Sequence, residues 1–195
     1  MDINLTHPIR VTQLAISHFL KHKKPGVVLH VSSVAGQVPF FPTPLYVAAK
    51  HALNGFVRSL DRLEFPPAHL SHIPKIRVNA VAPARILTPL WTENPDKLRM
   101  LGDNPGWILP ETVADVMLDL VQKEQYVGGS IVEVGEKVRV VQIYGDLGPK
   151  GGGNAVEHDP KEEVDMWASI ERQYGGNGTR VKKLNNGAKG VNGRK

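Results

Sequence analysis

Cysteine is missing from all 195 residues, so neither a disulfide nor a thiolate metal site can form. No apolar run approaches the ~18 residues that a membrane-crossing helix needs. The first residues also lack the basic stretch and apolar core of a secretory signal. Acid is missing locally. Residues 175–195 hold six cationic side chains (Arg180, Lys182, Lys183, Lys189, Arg194, Lys195) and no Asp or Glu. Taking those six from the formal net charge of +5 leaves −1 for residues 1–174. The body is therefore near neutral, and the basic balance belongs to the tail. That weakens any case for nucleic-acid binding by the whole protein. With 41% hydrophobic residues, the composition predicts a soluble, cytoplasmic protein with one sizeable core.

What is present reads as alternating helices and strands. Leu5, Ile9, Ile16, Phe19 and Leu20 recur at helical spacing over residues 3–23, with Pro8 near the start and Pro25-Gly26 at the end. Residues 27–31 (VVLHV) predict a buried strand. Residues 45–63 predict a helix with a small-residue face of Ala48, Ala49 and Ala52, stopped by Pro66-Pro67. Residues 76–81 (IRVNAV) predict a second strand. A Pro- and Gly-rich connection holding Trp91, Leu98, Met100 and Trp107 runs from there to Pro110. Residues 111–123 predict a helix with Val113, Val116, Met117, Leu120 and Val121 on its apolar face, and residues 131–134 a third strand. This order implies an α/β protein with a parallel sheet of about three strands. From Gly145 onward the periodicity fails. Residues 162–174 could form one exposed helix, and residues 175–195 are expected to be disordered.

The chemistry concentrates in one stretch. Tyr46 and Lys50 stand four apart, so they stack on one helix face. An ammonium beside a phenol stabilises the phenolate, which lets the phenol move a proton. Ser33, thirteen residues before Tyr46 in VSSVAG, offers a hydroxyl that can hold a carbinol or carbonyl oxygen. Ser32 reads as a structural residue at the strand end. His18 and His22 are four apart but have no third ligand partner in the pattern, so no metal site is expected. Phe40, Phe41, Trp91 and Trp107 are candidates for an apolar substrate pocket or for lid packing.

Taken together, VSSVAG, YVAAK and VNAVAP resemble, in order and spacing, the short-chain dehydrogenase/reductase family. Within it, YVAAKHALNGFVRSL is most similar to fungal 15-hydroxyprostaglandin dehydrogenase-like members. The resemblance covers about residues 2–135 and implies the C-terminal portion of a Rossmann-type doubly wound sheet. It implies a catalytic set of Asn4, Ser33, Tyr46 and Lys50. It also implies that NAD or NADP is held by Tyr46, Lys50, Pro83, Ile86 and Thr88, and that the substrate is a small apolar secondary alcohol or ketone. A homo-oligomer through the two long helices follows from the same resemblance. Ala84 stands where the family usually has Gly, which would strain a turn with positive φ. Thr43 is smaller than the amide side chain of prostaglandin-type members.

The family's Gly-rich phosphate turn is not found, and only 45 residues precede Tyr46. Gly148 and Gly151 to Gly153 precede no convincing helix, so they are no substitute. The expected organisation is a partial Rossmann-type domain over 1–144 and a flexible tail over 145–195. Two rival readings stay open: a truncated, non-catalytic fragment that associates with a full-length relative, and an adaptor that binds through its basic tail. Without flanking strands, the strand at 27–31 exposes an edge and an apolar face. The chain alone is therefore expected to bind 8-anilinonaphthalene sulfonate and to melt broadly; weak dye binding with a sharp cooperative melt would contradict this.

Overall fold

The computed structural model describes residues 1–98, 106–143 and Asp165. The Gly-rich stretch, Met100, the helix expected over 162–174 and the basic tail lie outside the described residues, apart from the single residue Asp165.

A π-helical turn, Asp2–Thr6, runs directly into α1 (His7–His22). Pro8 has no amide hydrogen to return to the carbonyl four residues back, at Asn4, so the helix opens on a wider turn. Lys23 ends α1 in the left-handed region, at φ 51°. Among the described residues it is the only non-glycine with positive φ. Ala84 therefore carries none of the expected strain. Its amide donates to Val134 O at 2.9 Å.

Among the described residues the sheet has four strands in the order β1 (Gly26–Val31), β2 (Ile76–Pro83), β3 (Ile131–Val134) and β4 (Val138–Val140). The first three are parallel, as the helix–strand alternation implies, and β4 returns antiparallel to β3. The sequence reading missed β4. Its three residues, VRV, are too few to establish a period, and they follow the polar turn Gly135-Glu136-Lys137.

Side-chain alternation along β2 builds two half-cores. Ile76, Val78, Ala80 and Ala82 join Ile131 and Val57 on one face, with Ile16 and Phe19 of α1 packed on them. Val81 joins Val132, Val134, Val113, Val116 and Leu120 on the other, under α5 (Pro110–Gln122). Full burial of each Val, Leu or Ile side chain among them contributes roughly 1.5–3 kcal/mol. The Phe19 ring lies directly over Gly26 and leaves no space for a Cβ there. Val121 of α5 is exposed rather than packed.

The helix expected over 45–63 is shorter. α2 spans Pro44–Arg58 and is followed by a 3-10 turn, Asp61–Glu64. It faces the sheet with Ala49, Leu53 and Val57, a strict four-residue stripe. Ala48 and Ala52, expected on a tight packing face, lie off that stripe and are exposed. The long connection contains two short helices, α3 (Pro89–Thr92) and α4 (Pro95–Leu98), with Trp91 and Trp107 in edge contact at 5.9 Å between ring centroids.

Glu64, delivered by the 3-10 turn, accepts from Arg77 Nη2 at 2.7 Å and from the Gly128 amide. Arg77 also donates to Lys123 O at 3.2 Å, so three chain segments meet at one buried ion pair. Replacing Glu64 by Ala leaves the Arg77 charge without its carboxylate and the Gly128 amide without its acceptor. A loss of about 3 kcal/mol is expected in urea unfolding; an unchanged midpoint would contradict it.

Candidate active site

Ser32 N donates to Val81 O at 2.7 Å, so β1 and β2 end side by side. The chain leaving β1 turns at once into a 3-10 turn, Val34–Gly36, and α2 lies against that turn. These three pieces carry most of the residues proposed from the sequence.

Ser33 caps the 3-10 turn in extended conformation. Its Oγ accepts from the Ala35 amide at 3.1 Å and donates weakly to Pro83 O at 3.5 Å. Accepting that amide bond fixes the oxygen and strengthens the hydroxyl as a donor. Because its own partner is distant, the hydrogen can turn to a closer acceptor.

Lys50 is 7% exposed, and its Nζ donates to Val31 O at 2.8 Å. The same ammonium lies 5.5 Å from the centroid of the Tyr46 ring, within cation–π range. Burial holds the Lys50 amine below its ordinary value. Tyr46, in the first turn of α2, is 38% exposed.

Asn4 is half-buried in the π-helical turn, which packs against α2. Pro83 is buried at the end of β2. Ile86 forms a parallel bridge with Ile108, made by Leu87 N to Ile108 O at 2.8 Å and Ile108 N to Arg85 O at 2.9 Å. In that pattern the N–H and C=O of Ile86 itself point away from the bridge. Thr88 Oγ1 reaches Ile86 O at 3.4 Å. Among the described residues no hydrogen bond joins Asn4, Ser33 and Tyr46 to one another; each approaches from a different element.

The sequence reading missed three supporting contacts. Ser32 and Asn54 are both buried and hydrogen-bonded to each other at 2.6 Å. Arg139 of β4 donates to Glu133 at 2.7 Å and to Gln37 at 3.2 Å, which ties the fourth strand to the residue after the 3-10 turn. His30 of β1 meets Thr12 of α1 at 2.9 Å. Thr12 donates its own hydrogen to Pro8 O at 2.8 Å, so His30 Nε2 is the donor in that pair. The His18 and His22 rings lie tilted against each other on the exposed face of α1, 4.4 Å between centroids.

A hydroxyl, a phenol and a buried ammonium thus lie near the carboxyl ends of the parallel strands β1 and β2 of an α/β fold, where such folds bind their ligands. Residues 1–99 match the family model described as short chain dehydrogenase, and the chain belongs to that family. It is 25% identical over 150 residues to rat (Rattus norvegicus) 15-hydroxyprostaglandin dehydrogenase, covering 69% of this chain and 53% of that protein. It is 30% identical over 117 residues to the short-chain dehydrogenase/reductase homolog YusR of Bacillus subtilis, covering 58% of this chain and 84% of that protein. Among solved structures, a 4-hydroxyisoleucine dehydrogenase mutant complexed with NADH and succinate matches at TM-score 0.52 and 26% identity, over 70% of this chain and 57% of that one. A protein of Agrobacterium tumefaciens with bound NADP matches at TM-score 0.56 and 26% identity, over 69% of this chain and 55% of that one. The chain thus spans about half the length of the first of these curated relatives. Among the described residues no helix is long and apolar enough to cross a membrane.

Burial, and then the Lys50 charge, hold His30 below its ordinary value of 6.5. The unfolded chain therefore takes up this proton at a higher pH than the folded one, and protons favour unfolding. Stability is expected to fall as the pH drops below 6.5. His30→Gln keeps a donor for Thr12 but cannot titrate, so thermal melts of that variant should show a shallower acid limb. Parallel limbs for both proteins would contradict the assignment.

Proposed function

We propose that the chain carries the catalytic and substrate half of an NAD- or NADP-dependent oxidoreductase that interconverts a secondary alcohol and a ketone on a small apolar molecule. The observation that carries this is the buried Lys50 ammonium stacked 5.5 Å from the Tyr46 ring, beside the Ser33 hydroxyl at the ends of β1 and β2.

The residues fit the nicotinamide end of such a cofactor. A carboxamide has one acceptor and an NH2 donor. The N–H and C=O of Ile86, turned away from its bridge, and the Thr88 hydroxyl offer the complementary set. Buried Pro83 makes an apolar wall beside them. A bound nicotinamide would supply the site for hydride exchange. Ser33 Oγ donates to the substrate oxygen and orients it. Tyr46 takes the proton from that oxygen in oxidation and returns it in reduction. The Lys50 ammonium stabilises the charge that develops on the phenol oxygen, in a setting where burial weakens solvent screening. Asn4, in the turn packed on α2, holds water that connects Lys50 to solvent.

Trp91 and Trp107, in edge contact on the connection that carries the Ile86–Ile108 bridge, support an apolar substrate. Exposed Val11 and Leu14 of α1, with Leu45 of α2, support a homo-oligomer through the two long helices. A cytoplasmic setting goes with this reading. A second reading is a non-catalytic fragment that associates with a longer relative. Among the described residues β1 is an edge strand in which Val31 is 49% exposed, the surface that such an association would cover.

In a secondary-alcohol oxidation assay with NAD or NADP, Tyr46→Phe should lower kcat by about 10²–10⁴-fold with little change in KM. Turnover that survives this substitution would sink the proton-transfer role. A folded wild-type chain without nicotinamide-linked turnover would favour the fragment reading.

A further inference from the structure

Tyr46, Lys50 and Asn54 occupy successive turns on one face of α2. The first two have roles in the reaction proposed above. Asn54 is 3% exposed and makes two contacts, both to the chain that leaves β1. Ser32 Oγ donates to Asn54 Oδ1 at 2.6 Å, and Asn54 Nδ2 donates to Gly36 O at 3.0 Å. The Gly36 carbonyl can only accept, so the amide nitrogen must face it and Oδ1 must face Ser32.

The two contacts straddle Ser33. Between them lies a compact unit: Gly36 N donates to Ser33 O, and Gln37 N to Val34 O, each at 2.9 Å, while Ala35 N holds Ser33 Oγ. These bonds tie residues 33–37 together, so whatever fixes the ends of the unit constrains the hydroxyl. Gly36 sits so close to α2 that an added Cβ would lie 2.9 Å from Lys50 O, and the approach admits only glycine. Ser33 Oγ has only a weak bond outward, at 3.5 Å to Pro83 O, so Pro83 does not hold it.

We propose that Asn54 is a positioning residue: by clamping Ser32 and Gly36 to α2, it sets the Ser33 hydroxyl in register with Tyr46. This rests on the oxidoreductase reading of the site.

The first test needs no turnover. In the full chain, Asn54→Leu leaves the Ser32 hydroxyl and the Gly36 carbonyl without their partner. Amide exchange over residues 32–37 should rise by about tenfold or more, while exchange in β2 stays unchanged. Unchanged exchange over 32–37, or an equal rise in both regions, overturns the clamp. Ser32→Ala removes one of the two bonds and keeps the fold if Asn54→Leu does not. It should give a smaller, equally local rise, and no local rise again overturns the clamp.

The second test is kinetic. Asn54→Leu should lower kcat by about 10–100-fold with cofactor KM unchanged. In a Ser33→Ala background that loss should vanish, because Asn54 acts through Ser33. Losses that multiply in that background overturn the positioning role. Failure of the oxidoreductase reading would look different: the wild-type chain would show no turnover, or Tyr46→Phe no defect, whatever the exchange data gave.

Discussion

The site depends on one helix face held against the end of one strand. Lys50 reaches across to Val31 O at 2.8 Å, and Asn54 grips the next residues at Ser32 and Gly36. Both side chains are buried, and the two Asn54 bonds lie where water competes little. Burying a lysine disfavours its charge, and the downward pull on the Lys50 amine reflects that. The Val31 carbonyl and the Tyr46 ring offset part of it. The ammonium is thereby kept beside the Tyr46 ring.

The rest of the fold positions those two ends. Glu64 and Arg77 lock the turn after α2 to β2 and to the chain entering β3. Arg139 ties β4 back to Gln37. Thr12 and His30 lock α1 to β1. Each is a buried or part-buried polar pair joining elements far apart in sequence, and each is directional where hydrophobic contact is not. Such pairs fix register more than they add stability. The weak side is β1, at the edge of the sheet with Val31 half exposed.

Much of this was legible in the chain. Tyr46 and Lys50 lie within one helical turn, so their stacking follows from spacing alone. β1, β2 and β3 are β-branched runs bounded by Pro and Gly, and they form where the pattern predicts. Pairings across long separations were not legible. Asn54 meets partners 22 and 18 residues away, and a lone Asn in a helix reads as surface. The available signal was its place on the stripe of Tyr46 and Lys50. Thr12 reads as polar surface too, yet it is fully buried because β1 places His30 opposite it. Ala48 and Ala52 misled because composition suggests packing, whereas the four-residue stripe of Ala49, Leu53 and Val57 decides which face turns inward. Ala84 adopts no left-handed angle, so the strain inferred from the family's glycine does not arise.

The most direct measurement is isotope transfer. The purified 195-residue chain would be incubated with NADH or NADPH deuterated at the nicotinamide C4 and with a panel of small apolar ketones, and the products read by mass spectrometry. Deuterium on the carbinol carbon of at least one product, lost in Lys50→Met, is the expected result. A folded chain that transfers no deuterium to any ketone, or a Lys50→Met variant that transfers it as well as the wild type, would contradict the central claim.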